Sequence, residues 1–214
     1  MIRSKASAAL SRACLALALV LLAACGKSAP THFYTLAPEP LPALPGGTSG
    51  AAEPGGGVKT RPAGPCPSLG IGPVDFPAYL DRNQVVTQGE DHRMFVAEFD
   101  QWIEPLQDNF KRTLLADLGV AACAKPLVMY PWPPGVRPDH QVVIQVRRFD
   151  GALGREAVLQ ADWSVLDASG AVLFWQTSQY REPLDGPGYA QLASAQSRAV
   201  ARLAGDIAAK VNGL

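Results

Sequence analysis

Downstream of Ser68 the apolar residues fall into two periods, and the boundaries between them predict the elements. Val142, Ile144 and Val146 alternate with polar or weaker neighbours in Gln141–Phe149, and Leu159, Ala161, Trp163 and Val165 do so in Ala157–Leu166. A period of two places each set on one face of a strand. Asp167-Ala168-Ser169-Gly170 reads as a hairpin turn, so Val172–Arg181 should return antiparallel to the strand before it. Earlier, Leu69–Phe76 reads as a strand closed by Pro77, and Leu127–Tyr130 as a short one. Gln84–Thr87 and Met94–Ala97 read as a hairpin about the polar turn Gln88–Asp91.

The period changes to about four in two places. Leu106, Phe110, Leu114 and Leu118, widened by Leu115, predict a helix opened by Glu104-Pro105 and ended by Gly119. Tyr189, Leu192, Val200, Leu203, Ile207 and Val211 predict a second helix after Pro187-Gly188, padded by alanines. Many strands with one helix among them and a long one at the end predict an α+β fold. Its sheet is mainly antiparallel, with the two helices packed on one face.

Upstream the pattern disappears. Residues 37–67 contain 8 Pro and 7 Gly among 31 residues. Such a composition buries too little to offset its ordering entropy, so it predicts a disordered linker that holds the folded domain off its anchor. Gly55-Gly56-Gly57 has no Lys-Ser/Thr after it and is not a phosphate loop. Before the linker, His32–Leu36 is β-prone: either an added edge strand or a loose tail.

The first residues carry Arg3, Lys5 and Arg12 without an acid, and Ala13–Leu22 is an apolar run too short to span a bilayer. Leu22-Ala23-Ala24-Cys25 then reads as a lipobox. Cys25 would be the acylated amino terminus after cleavage, and several acyl chains make such attachment effectively permanent. The predicted divisions are a signal peptide over 1–24, a lipidated tail and linker over 25–67, and a domain over 68–214. Gly26 follows Cys25 where inner-membrane retention usually takes Asp, which favours the periplasmic face of an outer membrane.

Charge and cysteine content narrow the function classes. Of 19 basic and 19 acidic residues, three basic ones leave with the signal peptide, so the remaining chain stands at 16 against 19, a balance of −3. No basic field exists for nucleic acid. Cys14 also leaves and Cys25 is lipidated, so Cys66 and Cys123 remain as an even pair in an oxidising compartment, where a disulfide is favoured over free thiols. His32, His92 and His140 are far apart, and neither G-x-S-x-G nor H-E-x-x-H occurs. The residues therefore predict no metal site, no cofactor and no enzyme.

Several short motifs, in order, resemble the PqiC/YmbA-type auxiliary lipoproteins of ABC-type intermembrane transport. They are Phe33-Tyr34-Thr35-Leu36; Gly72-Pro73-Val74 with Pro77-Ala78-Tyr79-Leu80-Asp81-Arg82; Glu98-Phe99-Asp100-Gln101-Trp102 before Glu104-Pro105-Leu106; and Tyr130-Pro131-Trp132. Asn83 departs from the family, which often has proline there, and so does the long Pro/Gly linker. The resemblance implies an outer-membrane lipoprotein serving lipid transport and envelope integrity. Its implied partners are an MCE-domain periplasmic protein (PqiB-like) and an associated inner-membrane permease, with self-association as a further option. A stand-alone lipid-binding or envelope-assembly lipoprotein is the alternative. Tyr79, Trp102 and Trp132, beside breaks between elements, are candidate interface anchors against the commoner fate of core packing.

Overall fold

The computed structural model describes residues 29–39 and 66–214, and the folded unit runs from His32 to Leu214. Its elements in chain order are β1 (His32–Tyr34), β2 (Leu69–Asp75), β3 (Gln84–Gln88), β4 (Met94–Trp102), α1 (Leu106–Ala121), β5 (Leu127–Met129), β6 (His140–Ala152), β7 (Glu156–Asp167), β8 (Val172–Pro183) and α2 (Tyr189–Val211). The signal peptide and the lipobox with Cys25 lie outside the described residues.

The α+β class holds, in a mixed form with two sheets. The larger has the order β5-β2-β6-β7-β8, and β2 runs parallel to both its neighbours. β6, β7 and β8 form the expected antiparallel meander. At the second turn of the meander, Asp167 Oδ1 accepts hydrogen bonds from the Ser169 and Ala171 amides at 2.8 and 3.0 Å, and Gly170 takes φ +87°. This is the self-bonded Asx turn that makes Asp and Gly good turn residues. The smaller sheet, β1-β4-β3, contains the expected hairpin of β3 and β4.

Strand phase is set by burial, with one interruption. Val142, Ile144 and Val146 point inward from β6, but the next inward aromatic is Phe149, three residues on. A bulge opposite β7, between Val146 and Arg148, inserts the extra residue that reverses the alternation. Phe149 then meets Phe110 of α1 and Phe76 edge to face, at centroid distances of 5.3 and 6.1 Å. Such T-shaped contacts stabilise beyond area burial, by about 1 kcal/mol each. α2 lies against the sheet through Leu192, Ala195, Ala199, Leu203 and Ile207, all fully buried.

The first helix does not stop at Gly119. It continues to Ala121, where Asn212, just past α2, receives a hydrogen bond from the Cys123 amide at 2.6 Å and donates to the Ala121 carbonyl at 3.2 Å. The side chain that ends α1 thus comes from 89 residues away, which a local reading of glycine cannot see. Cys66 and Cys123 are disulfide-bonded, with their Cα atoms 5.1 Å apart. β2 and β5 are parallel neighbours, so the chain enters both from the same end of the sheet.

The amino-terminal boundary needs correction. β1 is an edge strand parallel to β4, pairing His32 with Asp100 and Tyr34 with Trp102. Leu36 beyond it is 1% exposed. The folded unit therefore begins at His32 and not at Ser68. The Pro/Gly segment joins two parts of one unit, so it is not a stand-off tether between anchor and domain.

Candidate functional site

Two of the motif segments meet in one groove. Pro77 fixes the start of a short 3-10 turn, Ala78–Leu80, whose Leu80 is buried. The chain then leaves through Asp81, Arg82 and Asn83, all exposed, toward β3. Opposite stands the amino terminus of α1, where Pro105 precedes Leu106 and no side chain caps the helix. Pro77, Leu80, Asp81, Arg82, Pro105 and Gln107 are among the walls of the resulting groove, of about 560 Å³. Gln107 Nε2 donates to the Val74 carbonyl at 2.6 Å and ties the helix start to β2.

Charge in the groove is available. Neither Asp81 nor Arg82 has a side-chain hydrogen bond or ion pair among the described residues, unlike neighbouring Glu104, which pairs with Arg112. A groove of mixed apolar and polar walls with an unengaged acid and base on its rim suits docking of a polypeptide.

The three aromatic candidates fall elsewhere. Trp102 is 3% exposed and belongs to the core, which removes it as an anchor. Tyr79 is half-buried, with its hydroxyl donating to Asp150 Oδ2 at 2.8 Å. Asp150 is itself 2% exposed and is held by Arg148 at 2.7 Å. Burial and the Asp150 carboxylate push the Tyr79 hydroxyl well above its ordinary pKa, so it stays protonated and remains a structural donor. Trp132 is half-buried, stacked edge to face with Tyr130 at 5.3 Å and lying over Gly70, where a Cβ would collide with its ring. Of the three, only Trp132 stacks on an exposed aromatic, Tyr130. The histidines are separate, and no cluster of three metal-ligating side chains occurs among the described residues.

A second feature escaped the sequence reading. Asn109, Thr113 and Asp117 form a polar line along α1, spaced by four and all buried. The strap that follows β1 crosses the two helices here. Asn109 Oδ1 accepts from the Leu36 amide at 3.2 Å, and Ser197 Oγ of α2 accepts from the Ala37 amide at 3.1 Å. Asp117 faces the Glu39 backbone amide. Desolvation pushes its carboxyl up to about 6, only partly offset by that amide, and the nearby Glu39 charge raises it further. The signal was visible as a spacing, but polar residues at helical period are ordinarily the solvated face. Only the strap's position reveals Asn109 as an acceptor for one of its amides and sets Asp117 against the Glu39 backbone.

Comparison with known proteins fixes the family but not the partner. A solved structure of an uncharacterised protein superposes with a TM-score of 0.63 at 19% identity, covering 86% of this chain and 99% of that one. A DUF330-family protein from Xanthomonas campestris gives a TM-score of 0.58 at 17% identity, covering 71% and 90%. These likenesses speak for the fold. A PelC dodecamer from Paraburkholderia phytofirmans scores 0.42 at 12% identity, covering 69% and 90%. No curated protein matches the chain significantly. The sequence model of the family described as the ABC-type transport auxiliary lipoprotein component matches residues 50–208, most of the chain. That family is one of accessory transport lipoproteins and is not an enzyme family. By that match, and with the fold its relatives share, the chain belongs to the ABC-type transport auxiliary lipoprotein family.

Proposed function

We propose that the protein is a lipoprotein anchored through Cys25 to the periplasmic face of the outer membrane. There it serves an MCE/ABC-type system that moves lipid between membranes and supports envelope integrity. Its task is to dock an MCE-domain partner. The observation that carries this reading is the convergence of Pro77–Asn83 and Pro105–Gln107 on one groove, with Asp81 and Arg82 unengaged. Family membership supports the transport role, and the lipobox Leu22-Ala23-Ala24-Cys25 supports the anchor. A stand-alone lipid carrier would need an enclosed apolar chamber. The groove is open, with charged residues on its rim, and favours a protein partner over a lipid tail.

Crosslinking in cells between the lipidated protein and a co-encoded MCE protein tests the reading. Arg82→Glu should weaken the association without lowering the melting temperature, since the Arg82 side chain is exposed and makes no hydrogen bond or ion pair among the described residues. An unchanged association would move the docking surface elsewhere. No association in the wild type would overturn the proposal.

A further inference from the structure

The β3–β4 hairpin ends in three consecutive exposed apolar residues: Met94, Phe95 and Val96, at 43%, 54% and 48% exposure. Consecutive strand residues point to opposite faces, so this end of the hairpin offers apolar surface on both sides. The turn before it, Gly89–Arg93, holds Asp91 and His92 at φ 57° and 61°, a left-handed pair that non-glycine residues rarely adopt. Phe95 shares an open hollow with Leu153 and Arg155 of the β6–β7 turn. Arg93 and Arg155 are exposed and form no ion pair among the described residues. Apolar tips flanked by unpaired arginines match the boundary between acyl chains and headgroup phosphates, where the cation stays outside while the apolar group enters.

Strand direction says what lies opposite this tip. β1 is parallel to β4 with His32 opposite Asp100, so the amino-terminal end of β1 faces the same way as the Met94 end of β4. From Asp100 back to Met94 is six residues, about 20 Å of strand. From Cys25 to His32 is seven residues, with a reach of at most about 25 Å. The two lengths are comparable. A chain acylated at Cys25 therefore holds its hairpin tip within reach of the bilayer that holds the acyl chains.

We infer that Met94, Phe95 and Val96 form a second membrane contact, seated in the phospholipid interface with Arg93 and Arg155 at the headgroups. This inference rests on the Cys25 anchor proposed above. It orients the domain, placing the β3–β4 tip down.

The full-length protein, purified from membranes and reconstituted in vesicles of phosphatidylethanolamine and phosphatidylglycerol, provides the test. A photoreactive phenylalanine analogue in place of Phe95 should yield phospholipid adducts. The same analogue in place of Val120, which is 84% exposed, should yield none. Vesicles should also protect the amides of residues 89–97 from hydrogen exchange, and Met94→Glu with Phe95→Glu should abolish that protection while the protein stays membrane-bound. The mass of the mature amino terminus is measured on the same sample. Acylated protein that gives no lipid adducts, or adducts only to a second copy or to another protein, overturns the membrane contact alone. Protein without acyl chains overturns the anchor and this inference together.

Discussion

Asp117 is the sharpest physical test of the strap. Its carboxyl is 2% exposed, the Glu39 backbone amide offsets that burial only in part, and burial pushes its pKa from 3.8 up to about 6. In the unfolded chain the group returns to its ordinary value, so between about pH 4 and 6 the native state binds more protons than the unfolded state. Stability therefore falls as pH rises through that window and levels off above it. A raised pKa of about two units corresponds to about 3 kcal/mol lost between pH 4 and neutrality. Asp139, Asp162 and Asp167 work in the opposite sense. Hydrogen bonds from Ser68, Thr177 and Ser169 lower their pKa values, so their contribution is lost only on further acidification, below about pH 4.

Asp117→Asn keeps the shape, can still accept from the Glu39 amide and removes the charge. At pH 7 it should stabilise by about 2 kcal/mol, after allowing for an amide group left without a partner. That corresponds to a rise in the urea midpoint of about 1 M. Near pH 4 the advantage should vanish, because the wild-type group is already protonated. Urea unfolding of both proteins from pH 4 to pH 8 reads this directly. A flat wild-type profile, or a variant less stable at pH 7, would refute the account of Asp117 as a buried, poorly compensated charge.

Two further outcomes concern the strap and the disulfide. Leu36→Ala removes a side chain 1% exposed between strap and helices, and should cost about 2 to 4 kcal/mol in unfolding free energy. Hydrogen exchange at Ala37 should rise with it. Cys66→Ser with Cys123→Ser opens a loop of 57 residues and should cost up to about 4 kcal/mol by chain entropy. Reducing agent should lower the wild-type melting temperature toward that of the double variant and leave the variant unmoved.

The elements were legible because burial imposes their periods: β6, β7, β8 and both helices stand within a few residues of where the alternation puts them. What escaped depends on distant partners. Nothing local marks the end of α1 at Ala121, since Asn212 supplies the bonds. β1 has three residues, too few for a period, and its partner β4 lies beyond the Pro/Gly segment. That separation made the segment look like a tether. The phase reversal at Phe149 was equally hidden, because a bulge announces itself only against the opposite strand. For the proposed site, two of the motif segments converge on one groove, but aromatic character was a poor guide within them. Trp102 is buried and Tyr79 is tied to Asp150, while the charged residues Asp81 and Arg82 beside Tyr79 stay exposed.

The parallel pairing of β1 with β4 also decides how the domain bears mechanical load. A pull on the chain upstream of His32 acts along the strand axis, so the backbone bonds to β4 are strained together in shear instead of being opened one by one. The strap adds Leu36 and the amide contacts to Asn109 and Ser197 behind that strand. Should both yield, the disulfide at Cys66 stops the unravelling at the edge of the main sheet. Tension borne at the amino terminus thus meets a brittle clamp first and a covalent stop behind it.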